Sequence, residues 1–241
     1  MSNNVLFVFE GERTEEQIIT NLQKFFLTEN TTVNCVYGAE IYQIYKEISN
    51  DNDLDSFNLI KERNIKKNEI LKDFTKEDFA EIYMFFDYDG HSTLADDKKL
   101  EELLIFFKEE TDKGKLYISY PMVESLKHIC SYEDFKDLTV DCKCNIKYKN
   151  VVATSALSEL INFNSYDLAI WKKLISAHLK KVNYILDNLY ILPESLNSQL
   201  EIFKKQCEKY INTTSEVSVL SAFPVFLLDY YGCENLKKHI E

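Results

Sequence analysis

Apolar residues follow two rhythms along the first half of this chain. Val5 to Phe9 (VLFVF) is an unbroken run of strand formers, too short for a helix, and it reads as a buried parallel strand. Glu10-Gly11-Glu12-Arg13 follows, after which Ile18, Ile19, Leu22, Phe25 and Phe26 recur at helical spacing. Thr14 is the expected N-cap of that helix, with Gln17 closing a capping box and Glu15 and Glu16 in the first turn. Further strands are predicted at Thr32 to Tyr37, Ile82 to Phe86 (IYMFF) and Leu116 to Tyr120. Between them, Ile41, Ile44, Tyr45 and Ile48 predict one helix, and Leu100, Leu103, Leu104 and Phe107 another. Residues 50–79 are charged, with helical patches around Phe57, Ile60, Ile70 and Leu71, and predict a helical excursion before the third strand.

Strands alternating with helices predict an α/β fold over residues 1–120, a parallel sheet with helices on both faces. After Pro121 helical patterns dominate, as in the stretch carrying Trp171, Leu174, Ile175, His178 and Val182, so residues 121–241 predict a mostly helical region. The apolar segment Ser221 to Leu228 is expected in the core. No repeat or low-complexity tract interrupts the chain.

With 45% hydrophobic residues among 241, a packed core is expected and global disorder is not. No apolar run approaches the roughly 20 residues of a membrane span. The N-terminus lacks the basic segment and cleavage site of a signal peptide, so the expectation is a cytoplasmic protein with no membrane attachment. Cys142-Lys-Cys144 lacks the second pair that a zinc site uses, and the six cysteines are expected as free thiols. Net charge is −12, and residues 1–120 carry 25 Asp and Glu against 14 Lys and Arg. Such a field does not favour a general nucleic-acid-binding surface, so any nucleic-acid contact must use local basic patches or metal ions. Two clusters offer such patches: Lys61, Arg63, Lys66 and Lys67, and Lys172, Lys173, Lys180 and Lys181. A solvated helix face is the default explanation of either cluster.

The candidate chemistry sits at strand ends. In open α/β sheets ligands bind beyond the C-terminal ends of the strands. The first strand ends in Glu10, and the third in Asp87 and Asp89, which alternation along an extended segment aims at one point while Tyr88 turns away. Gly11 and Gly90 permit sharp turns beside them. Three carboxylates facing one cleft repel unless a cation lies among them, and oxygen ligands alone suit Mg²⁺ or Mn²⁺. The bland reading of Asp87 and Asp89 is a turn, and that of Glu15, Glu16 and Glu124 is favourable charge at a helix start.

Glu10-Gly11 after the first strand, Thr14-Glu15 opening a helix, and Asp87-x-Asp89 after a later strand together resemble the signature of the Toprim family over residues 5–120. The EGxxTE form is most similar to nucleases of the OLD and RloB type, which are paired with ABC-type ATPases in bacterial anti-phage defence. Ser119-Tyr120-Pro121-Met122-Val123-Glu124 resembles a Pro-containing segment of RloB-like proteins in which a Glu follows. The resemblance implies a Toprim-like sheet and a Mg²⁺- or Mn²⁺-dependent endonuclease acting on DNA or RNA, tRNA included. It implies Glu10 as general acid/base, Asp87 and Asp89 as metal ligands, and Glu15 and Glu124 as further ligands. It also implies an antiviral toxin-like effector with a partner ATPase, since the chain has no GxxxxGK[ST] of its own. Pairing with a second copy stays open.

Two alternatives remain at this point. Asp87-Tyr88-Asp89-Gly90-His91-Ser92 also resembles the DxDGT motif of haloacid-dehalogenase-like phosphatases, with Asp87 as nucleophile and Asp89 as acid/base, but that family carries it on the first strand. The third reading is a non-enzymatic Toprim scaffold or regulatory subunit. His91 is a candidate phosphate donor, whereas His178 lies on an apolar helical stretch and reads as core or surface.

Overall fold

The VLFVF run becomes an interior strand of a sheet. The computed structural model describes residues 4–27, 32–49, 55–65 and 69–240. In it β1 spans Asn4–Phe9, with β2 (Thr32–Val36) and β3 (Phe79–Asp87) parallel to it on either side. Residues Val5 to Phe9 are each at most 2% exposed, as a strand covered on both faces requires. The sheet has five strands in the order β2-β1-β3-β5-β4. Its last two, β4 (Lys108–Glu109) and β5 (Gly114–Ser119), pair antiparallel, a hairpin too short for the hydrophobic pattern to announce.

Helices α1 (Arg13–Phe26), α2 (Ile41–Ile48), α3 (Ser56–Ile65) and α4 (Asp97–Phe106) accompany the sheet. The α/β class and the mostly parallel sheet therefore match the hydrophobic pattern. The start of α1 differs from expectation. Glu12 is its N-cap and makes no side-chain cap bond, so Thr14 lies inside the helix and the Thr14–Gln17 capping box does not form. By contrast α4 has a true cap, the Asp96 carboxylate accepting the N–H groups of Lys98 and Lys99. Of the expected excursion, α3 and a 3₁₀ turn at Lys76–Asp78 are present, while 50–54 and 66–68 lie outside the described residues.

The chain divides into two compact units, Met1–Asp87 with Leu94–Tyr117, and Tyr88–Thr93 with Ile118–Glu241. The short 88–93 loop goes with the second unit. That unit is mostly helical: α5 (Tyr148–Ser155), α6 (Leu168–Asp187), α7 (Gln199–Gln206), α8 (Asn212–Thr214), α9 (Ala222–Tyr231) and α10 (Cys233–Ile240). A small antiparallel pair, β6 (Thr139–Asp141) with β7 (Glu216–Ser218), was not foreseen.

Trp171, Leu174, Ile175, Leu179, Val182 and Ile185 of α6 are all at most 1% exposed and form the spine of this unit. The first seven residues of α9, AFPVFLL, are buried, which agrees with a core role for that segment. Among the described residues no helix is long and apolar enough to cross a membrane.

Candidate metal centre

The order β2-β1-β3 makes β1 and β3 neighbours whose connections leave in opposite directions, so the C-terminal ends of these two strands form a topological switch point. Glu10 extends β1 by one residue. Its N–H donates to Phe85 O of β3 at 3.1 Å, and its carbonyl accepts from Gly38 N–H at 3.1 Å, so its main chain is held from β3 on one side and from the segment after β2 on the other. Its side chain is held as well: the N–H of Asp87, the last residue of β3, donates to Glu10 Oε2 at 3.0 Å. Asp87 itself is only 7% exposed.

Asp89 does not continue the extended alternation expected of it. Its φ is +40°, in the left-handed region that Asp tolerates better than most side chains. The turn is pinned within the second unit, Asp89 N–H donating to Pro121 O at 3.2 Å and Ser92 N–H to Asp89 O at 2.8 Å. Tyr88 is fully buried. Its N–H donates to Ser119 O at 3.0 Å, and its hydroxyl accepts from Lys143 Nζ at 2.9 Å. Gly90 has no room for a side chain, since a Cβ would stand 2.4 Å from the Tyr88 ring and 2.8 Å from Cys142 O.

One carboxylate oxygen from each of Glu10, Asp87 and Asp89 lies within 4.8 Å of the others. An all-oxygen, all-anionic donor set of this size fits a hard divalent cation, Mg²⁺ or Mn²⁺, and not the nitrogen and sulfur preference of zinc. Among the described residues it is the one such group of His, Cys, Asp or Glu. No family model, curated protein or solved structure matches this chain.

The remaining candidates are distributed as follows. Glu15 is buried on α1 and its Oε1 accepts the Gly11 N–H at 3.0 Å, so it braces the loop after Glu10 and stands outside the three-carboxylate group. Glu124 belongs to the second unit, in a 3₁₀ turn at Val123–Lys127, with its Oε1 3.4 Å from Lys149 Nζ; it too lies outside the group. Glu16 and His91 are exposed.

Of the first basic cluster, Lys61 Nζ donates to Phe74 O at 2.6 Å, and Arg63 lies over the Tyr37 ring and 3.9 Å from Glu47. Lys66 and Lys67 lie outside the described residues. In the second cluster Lys172, Lys173 and Lys180 line one shallow groove with Tyr132 and Tyr190. Lys181 does not join them, which corrects its expected place in a nucleic-acid grip. It is fully buried, its Nζ donating to Phe135 O and Leu138 O at 2.7 Å each, and burial holds its amine well below the usual lysine range.

Cys142 is buried with its thiol on Ser215 O at 3.3 Å, while Cys144 is exposed, so the CxC pair is two separate loop thiols. The sequence reading passed over the segment 145–150, whose Asn145, Lys147 and Lys149 line a cavity together with Asp89 and His91. That segment has no periodicity, and only its density of Lys and Asn marked it.

Proposed function

We propose that this chain is a metal-dependent nuclease, with Asp87 and Asp89 holding Mg²⁺ or Mn²⁺ and Glu10 serving as general acid/base. The observation that carries the reading is the meeting of Glu10, Asp87 and Asp89 oxygens within 4.8 Å at the ends of β1 and β3. When bound, a divalent cation there supplies positive charge against the charge that develops on a phosphoryl oxygen and a leaving alkoxide. The protein's share is placement. Two ladder bonds fix the Glu10 main chain and the Asp87 N–H fixes its carboxylate, so the group that moves the proton is oriented before substrate arrives. Glu15 supports this arrangement through Gly11, so its role is to hold the loop.

The resemblance to Toprim nucleases of the OLD and RloB type supports the same reading and extends it. On that extension the chain is a cytoplasmic anti-phage effector acting on DNA or RNA and governed by a separate ABC-type ATPase. The phosphatase alternative gives Glu10 no role, although Glu10 is bonded to the very backbone that presents Asp87.

The test is cleavage of plasmid DNA and of total tRNA by the purified chain with Mg²⁺, Mn²⁺ or EDTA, alone and with a co-encoded ATPase. Metal-dependent cleavage that Glu10→Gln and Asp87→Asn both abolish supports the nuclease. Hydrolysis of small phosphomonoesters, lost in Asp87→Asn and kept in Glu10→Gln, overturns it in favour of the phosphatase.

A further inference from the structure

The second unit contains a cavity of about 280 Å³ that opens at Asp89. Pro121, Met122, Cys142 and Ile146 give it apolar walls, and His91, Asn145, Lys147 and Lys149 give it polar edges. An apolar slot with a few placed polar groups is the usual form of a small-ligand site.

The walls are built and not incidental. The Asp141 carboxylate accepts the N–H groups of Lys143 and Cys144, both at 2.8 Å, which folds the 141–144 loop over the slot. Lys147 is held in the left-handed region at φ +51° as it enters α5. Lys149 is paired with Glu124, whose side chain is 5% exposed and whose second oxygen has no hydrogen-bond partner among the described residues.

We propose that this cavity receives one unpaired nucleobase of a single-stranded nucleic acid, the strand's phosphate running past Asp89. The inference rests on the nuclease reading of the carboxylate group and adds the form of its substrate. Three features favour it. A volume of about 280 Å³ suits one base with part of its sugar and not a base pair. The slot's apolar walls match a base's faces, and its amide and ammonium edges match a base's rim and its phosphate. Finally, Asp89 is both a wall residue of the cavity and a member of the carboxylate group, so the slot and the group share a residue. Chemistry on an intact duplex would then require the nucleotide to leave the stack.

Exposed Cys144 lies in the cavity wall and serves as the reporter. The full chain is incubated in EDTA with short single-stranded DNA, the matching RNA, or the corresponding duplexes, and alkylation of Cys144 by N-ethylmaleimide is followed by mass spectrometry. Single strands are expected to protect Cys144 and to bind about tenfold or more tightly than duplex. Ile146→Trp, which fills the slot, is expected to weaken single-strand binding by about tenfold, in line with the loss of one stacked base. Equal protection by duplex, or unchanged binding by Ile146→Trp with its fold intact by circular dichroism, overturns the proposal. The two readings fail separately. Protection of Cys144 without metal-dependent cleavage retains the base site and removes the nuclease, whereas cleavage of duplex without protection does the reverse.

Discussion

The backbone N–H of Asp87 donates to Glu10 Oε2 across 3.0 Å, tying the end of β3 to the residue that follows β1. The bond makes the two acids one structural element, although 77 positions separate them in sequence. It also means that a glutamine at Glu10 keeps an oxygen for the same donor.

Glu10→Gln is therefore expected to fold with an unchanged melting temperature and to lose cleavage by about 10²-fold or more. Asp87→Asn is expected to lose cleavage too, and in addition to weaken Mn²⁺ binding by about tenfold or more, measured by titration calorimetry. Loss of Mn²⁺ binding in Glu10→Gln alone would reverse the assigned roles.

Gly11→Ala brings a Cβ to 2.9 Å from Glu15 Oε1. The atoms met are the end of the flexible Glu15 side chain, so the expected cost is about 1 kcal/mol or less in urea denaturation, as Glu15 swings away from the Gly11 N–H. Removing the obstructing carboxylate in a Gly11→Ala, Glu15→Ala double variant is expected to cost less than the sum of the single changes.

Lys181→Ala removes one of the two donors to each of the Phe135 and Leu138 carbonyls, which keep the N–H groups of Leu138 and Val219, and opens a void in the second unit. A loss of about 2–4 kcal/mol is expected. Lys172→Ala and Lys173→Ala, on half-buried and exposed positions of the same helix, are expected to change stability by less than about 0.5 kcal/mol. Equal stability of all three variants would contradict the buried position of Lys181.

Two buried imidazoles make the second unit sensitive to acid. Burial pushes His178 down to about 3 and His128 down to about 4. His178 is bonded to Leu126 O and to the Ser221 N–H, and His128 to the hydroxyls of Tyr148 and Ser155. Unfolded histidine titrates near 6.5, above both folded values, so the unfolded chain takes up protons that the folded chain refuses. The stability these groups contribute is complete above about pH 6.5 and is lost as pH falls toward 4 and 3. Urea midpoints measured from about pH 7 to pH 4 are expected to fall, with a slope of up to about 1.4 kcal/mol per pH unit from His178. His178→Asn is expected to flatten that slope.

Much of this architecture was legible because it is written in local periodicity. VLFVF and IYMFF are buried strands, and an oxygen from each of Glu10, Asp87 and Asp89 at their ends lies within 4.8 Å of the others. The β6–β7 pair was not legible, since three-residue strands drawn from distant parts of the chain leave no local signal. Nor was the left-handed turn at Asp89, because an Asp before Gly suits several turn geometries. Lys181 was misread through its charge. Its spacing, seven residues after Leu174 and three after His178, already put it on the inward face of α6.

The left-handed φ of Asp89 has a bearing on which sequence changes this position can absorb. Asn and Gly fit that backbone as readily as Asp, while Glu, whose longer side chain makes no such local hydrogen bonds, adopts it at a greater cost, as Glu69 does at φ +56°. The usual order of conservative replacement is thus inverted there. A change to Asn or Gly removes the negative charge with the turn preserved, whereas a change to Glu keeps the charge at a cost in the turn.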